Sequence, residues 1–94
     1  MNAIQRIEKE QMNSIIFAQD DIYSTADERS IRLYNLRRAM LLGNLYKSHV
    51  NLVCTNEVGE LVETEATVWA VTDQYVMLKG GITIPIKAIK EVKF

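Results

Sequence analysis

One cysteine, one histidine and one proline are spread over 94 residues, and each shortage closes off a class of protein. A lone thiol, Cys54, cannot close an internal disulfide, so stability has to come from packing or from a partner. With His49 as the single imidazole, soft ligands are too few for a structural zinc site, and no cofactor is implied. No apolar run approaches the roughly 18 residues that a spanning helix needs, so no membrane role is expected. The first ten residues carry Arg6, Glu8, Lys9 and Glu10 among their apolar positions, unlike the unbroken apolar core of a signal peptide, and the protein reads as cytoplasmic. Glycine is sparse too. Gly80-Gly81 falls between two strands, not between a strand and a helix, and so does not form a phosphate-cradling loop.

What is present is the composition of an ordinary globular chain, 48% apolar and 24% charged. A chain this short buries only roughly 60 to 65% of the surface it exposes when unfolded, so its core is small, and one domain is expected. The net charge of −1 hides an asymmetry. Arg29, Arg32, Arg37, Arg38 and Lys47 form a basic block without an acid, and Glu57, Glu60, Glu63, Glu65 and Asp73 form an acidic block without a base. Either the two blocks lie near each other and complement across a seam, or the basic block faces a phosphate backbone. The sequence pI of about 5.8 favours the first reading.

Taken in order, residues from about 2 to 17 favour helix, with Ile4 and Ile7 three apart. Asp20 and Asp21, without further spaced oxygen ligands, read as a solvated loop rather than a metal site. A second helix, about 26 to 42, starts at the capping box Thr25-Ala-Asp-Glu28 and is expected to stop at Gly43. It carries two apolar stripes, Leu33, Leu36 and Met40 on one side, Ile31, Tyr34, Leu41 and Leu42 on the other. A helix apolar on two sides needs two partners. One is the strand region, and the other is the first helix or the same helix of a second subunit, which is the ground for expecting a homo-oligomer.

Strands follow from Val50. Val50 to Cys54 alternates, Thr55 to Glu60 is a hairpin loop with Gly59 late, and Leu61 to Thr72 is a long β-rich run. Asp73-Gln74 and Gly80-Gly81 make two-residue turns around the strand Tyr75 to Lys79. Ile82, Ile84 and Ile86 face one side, Pro85 marks an edge, Lys87 to Lys90 makes one helical turn, and Glu91 to Phe94 is a last short strand. The expected fold is α+β: N-terminal helices packed on a five-stranded antiparallel small barrel over about 50 to 94.

That order of strands, with Ala66 to Lys79 as a bent pair and Lys87-Ala-Ile89 followed by Val92 as a closing turn and strand, resembles the SH3-like and Sm-like small barrels. The pattern is similar to that of the bacterial Sm-like RNA chaperones over about half the chain. Their uridine pocket depends on a Tyr-Lys-His run before the closing Ala-Ile, and here those positions read Pro85-Ile86-Lys87. The resemblance therefore implies the barrel without the pocket, and the layout is also similar to small uncharacterised bacterial proteins.

No catalytic constellation assembles from these residues. Cys54 alternates with Val50 and Leu52 onto a core face, where a thiol is an inert small hydrophobe. Glu63 and Glu65 share a strand face, an arrangement that suits acid–base work but more often is a solvated surface. The candidate interaction surface is Trp69, Tyr75 and Met77 opposite the core, with Arg37 and Arg38 on the helix. Either the second helix roofs these residues, or they meet another subunit, or bases stack on Trp69 and Tyr75 while the arginines neutralise phosphates. Two functions follow: a non-catalytic interaction or regulatory module that self-associates, and an Sm-like binder of single-stranded RNA.

Overall fold

The structure, a computed structural model, describes residues 4–94. It contains one α-helix, α1 (Ala26–Tyr46), and seven strands: β1 (Gln5–Arg6), β2 (Val50–Thr55), β3 (Leu61–Ala66), β4 (Val68–Val71), β5 (Tyr75–Leu78), β6 (Thr83–Pro85) and β7 (Ile89–Lys93). The strands form two sheets, β1-β3-β2-β7 and β4-β5-β6. This overturns the five-stranded barrel beneath two helices. The ladders do not run round into a closed cylinder, because the 3-10 turn Ile86–Ala88 separates β6 from β7, and β6 pairs with β5 while β7 pairs with β2.

The expected first helix is also corrected. Its positions 2 and 3 lie outside the described residues. From residue 4 onward the chain makes β1, then the 3-10 helix Lys9–Ser14, then a bridge from Phe17 to Asn56. A lone amphipathic segment this short is marginal as a helix, whereas β3 offers an open edge whose N–H and C=O groups need partners. β1 lies parallel along that edge, and the Ile7 N–H donates to the Glu63 carbonyl at 2.9 Å. Met12 then sinks wholly into the core, with Ile7, Ile15 and Phe17 packed against it.

The strand readings from Val50 onward stand up better. β2 and β3 are antiparallel from Val50 opposite Ala66 to Thr55 opposite Leu61. In their hairpin the Asn56 Oδ1 accepts from the backbone of Val58 and Glu60, and Gly59 takes φ +86°. Gly80 and Gly81 take φ +98° and +84° in the β5–β6 turn, which is one residue longer than expected: Met77 pairs with Thr83 and the Leu78 N–H donates to the Ile82 carbonyl, so Lys79, Gly80 and Gly81 form the loop. The long β-rich run is two strands. It changes sheet at Thr67, which is buried and whose carbonyl accepts from Lys79 N–H. β6 is the edge of its sheet, consistent with Pro85.

The core lies between the sheets and is roofed by α1, which rests on β4 and β7. Val50, Leu52, Val68, Val76, Leu78, Ile84 and Ile89 are its centre, and Leu36 reaches it from the helix. Thr25 caps α1, its hydroxyl accepting from the Glu28 N–H at 3.2 Å. Gly43 does not end the helix. The chain continues to Tyr46 and stops at Lys47, which adopts the left-handed conformation, φ 55° and ψ 33°, with its N–H on the Gly43 carbonyl at 2.9 Å. Among the described residues no helix is long and apolar enough to cross a membrane.

Candidate functional site

Helix α1 has two unlike faces. Arg32, Leu36, Ala39 and Gly43, spaced four, three and four apart, are its buried line, flanked by the half-buried Leu33 and Met40. Nearly opposite, Ile31, Tyr34, Leu41 and Leu45 are 62%, 69%, 57% and 63% exposed. Of the second expected stripe, Ile31, Tyr34 and Leu41 are open in the single chain and Leu42 is half-buried; Leu45, beyond the expected end of the helix, completes the exposed line instead. The described part of the N-terminal segment does not cover it, because β1 sits on the outer edge of the four-stranded sheet, with two strands between it and β7.

The outer face of the three-stranded sheet is open as well. Trp69, Tyr75 and Met77 are 46%, 49% and 41% exposed, so α1 does not roof them. Strand alternation directs Val76 and Leu78 into the core and Tyr75 and Met77 outward. A register shift in the β4–β5 ladder between Val68 and Ala70 turns Trp69 outward beside Met77. Arg37 is exposed, and the Arg38 guanidinium lies 4.4 Å from the centroid of the Phe94 ring. Arg38 is thus held against the C-terminal residue by a cation–π contact.

The cations that share a cleft with Tyr75 are different ones. A cleft of about 460 Å³ lies between the start of α1, the loop before it and the β4–β5 turn, with Arg29, Tyr75, Pro85 and Lys87 on its walls. Its floor is an ion pair that the sequence did not suggest. The Arg32 side chain is only 5% exposed, and its two terminal nitrogens donate to the two Asp21 carboxylate oxygens at 2.9 and 2.6 Å. Arg32 also donates to the Ile89 carbonyl at 3.2 Å and stacks 5.4 Å from the Tyr23 ring centroid, while its Nε is buried without a partner. The Tyr23 N–H donates to Asp21 Oδ1, and Arg29 approaches Oδ2 at 3.5 Å. Burial alone would raise the Asp21 carboxyl. The Arg32 hydrogen bonds, the Tyr23 N–H and the charges of Arg32 and Arg29 outweigh it and hold the group below the ordinary value of 3.8. Asp21 is accordingly the counter-ion of a buried arginine, not part of a solvated loop. The one available signal was Arg32 itself, an arginine on the Leu36–Ala39–Gly43 line.

The two charge blocks meet less than expected. Arg29 and Arg32 turn to Asp21, outside the acidic block, and among the described residues no member of the basic block pairs with the acidic one; His49, outside both, lies 3.7 Å from Glu65. Glu63 is buried, not solvated: Arg6 from β1 bonds one carboxylate oxygen and Lys93 from β7 the other, the latter at 3.0 Å. Glu65, its expected companion, is exposed.

His49 precedes β2 and is exposed, whereas Cys54 is buried near the far end of the strand, so the two do not form a pair. Burial pushes the Cys54 thiol up to about 12. We expect Cys54 to resist an aromatic disulfide reagent in the native protein at neutral pH and to titrate fully once denaturant is added; rapid labelling without denaturant would contradict its place in the core. Among the described residues no three His, Cys, Asp or Glu side chains gather as a metal site requires. Compared with protein-family models, curated proteins and solved structures, the chain matches none.

Proposed function

We propose that the protein is a non-catalytic, cytoplasmic interaction module that works as a homo-oligomer. The observation that carries this is the exposed apolar line Ile31, Tyr34, Leu41 and Leu45 on a helix whose opposite face is already buried. A free monomer rarely leaves so many large apolar side chains of one helix face in water. Multi-angle light scattering is expected to return at least twice the 10.8 kDa of one chain. A mass of one chain at every concentration would reject the reading.

A second reading has one specific observation in its favour. Trp69 and Tyr75 are open side by side with Met77, and Arg29 and Lys87 share a cleft wall with Tyr75. Single-stranded RNA bound there would stack bases on the aromatic rings and set phosphates against the cations. A fluorescent single-stranded RNA then binds with an affinity that falls steeply as salt rises, and Trp69→Ala weakens it by about 1–3 kcal/mol. Absence of salt-sensitive binding removes this reading and leaves the first intact.

A further inference from the structure

We infer that two copies of this chain pair through α1 as an antiparallel, two-fold helix dimer, with Ile31, Tyr34, Arg38, Leu41 and Leu45 as the seam. This rests on the self-association proposed above and names its surface and geometry. The five positions step by three, four, three and four residues, the spacing that keeps one line of side chains facing a partner helix over three turns and more. They lie nearly opposite the Arg32, Leu36 and Ala39 line that packs against the sheets, so pairing leaves the core contact undisturbed.

The four apolar members expose on the order of 450 Å² per copy, taking about 100 Å² for each aliphatic side chain and about 150 Å² for the tyrosine. That is more than half of the roughly 800 Å² per partner that a stable interface buries, before Leu42, Tyr46 and the flanking polar atoms are added.

Charge decides the orientation. In a parallel pair every residue meets its own copy, which brings the two acidic first turns, Asp27 and Glu28, together. In an antiparallel pair centred on the seam, Asp27 and Glu28 lie toward the other copy's Lys47, and the two Arg38 side chains flank the two-fold axis, each stacked on its own Phe94 ring. The two helix dipoles then oppose each other as well. The second copy is also the occupant that the fold leaves available, since the N-terminal segment is committed to the far edge of the four-stranded sheet.

The test is sedimentation of the full chain beside the Leu41→Glu/Leu45→Glu variant, with Trp69→Glu as a control on the sheet face. The seam variant is expected to weaken self-association by ~100-fold or more, since carboxylates replace two of the four apolar contacts of each copy, while Trp69→Glu leaves it unchanged. Ile31→Lys, a milder change on the same line, acts in the same direction and keeps the test decisive if the double variant unfolds. An oligomer that survives the seam changes overturns the inference and spares the self-association reading; a wild-type monomer overturns both. Orientation is read from Leu45→Cys under mild oxidant, with Cys54 too buried to compete. In the antiparallel pair the two introduced thiols sit ten or more residues apart along the helices, roughly 15 Å, too far for a disulfide. A disulfide-linked dimer of Leu45→Cys would overturn the antiparallel arrangement.

Discussion

Asp21→Asn is expected to cost about 3 kcal/mol of folding stability, toward the lower end of the range for breaking a buried ion pair because Asp21 keeps some contact with water. The loss comes from what is left behind. Arg32 stays inside, with its Nε already unpartnered, and loses the charge that its two terminal nitrogens grip. Because Arg32 also donates to the Ile89 carbonyl and stacks on Tyr23, whose hydroxyl donates to the Lys90 carbonyl, the damage spreads to the joint between α1 and β7. For a domain of this size that loss corresponds to a fall in Tm of about 15 °C. The pH dependence carries a sign that can be checked. The folded Asp21 carboxyl titrates below its ordinary value of 3.8, so its contribution is fully present above that value and is lost as pH falls through the folded value. Denaturant unfolding of the two proteins should therefore differ by a constant amount at neutral pH and converge in acid. A gap that persists undiminished at low pH would show that the carboxylate charge is not what matters.

Gly43→Ala is the second large effect, and its direction opposes helix propensity. In an open helix the change would add about 1 kcal/mol of stability. Here the new Cβ would stand 2.4 Å from the Val68 carbonyl oxygen and 3.1 Å from Thr67 Cγ2. The first of these is backbone at the point where the chain passes from one sheet to the other, so it cannot swing aside as a side-chain end would. Relief requires α1 to lift off β4, and overpacking against backbone, at the upper end of about 1–3 kcal/mol, outweighs the propensity gain of about 1 kcal/mol. A net loss of about 2 kcal/mol is expected, read as a lower denaturation midpoint with an unchanged m value. Asn44→Ala, on the exposed side one residue on, is the control and should be neutral or slightly stabilising. Equal behaviour of the two variants would mean that the helix does not approach the sheet as closely as described.

Both effects arise at residues whose roles the sequence misassigned, and the reasons are physical. Gly43 looked like a helix stop because glycine serves that purpose at many helix ends. The requirement it meets here is closeness to Val68, which lies 25 positions away and leaves no local trace. Asp21 looked like a solvated loop residue because its partner is 11 positions further on, on a helix that had first to be docked. Glu63 was assigned to the outer face by strict alternation along β3, and it is buried because Arg6 and Lys93 converge on it from strands on either side. By contrast, the hairpins at Gly59 and Gly80-Gly81, the edge at Pro85, the three inward isoleucines and the Thr25 cap were legible, since each is set by residues in contact along the chain. The candidate surface was half legible. Alternation identified Tyr75 and Met77 as outward, but whether α1 lay over them depended on where the helix docked.

By itself, the sequence determined the start of α1, its two apolar stripes, the strand regions from Val50 onward and the turns between most of them. These follow from side-chain periodicity and from backbone preferences that act within a few residues. Only the tertiary structure decided that the N-terminal segment would pair with β3 rather than coil, that the strands would form two sheets rather than a barrel, and which stripe of α1 would stay open. Those outcomes depend on competition for the same few buried edges and faces. β3 had an unpaired edge and took β1, while the sheets had one apolar face to offer the helix and took Leu36, leaving Ile31, Tyr34, Leu41 and Leu45 in water.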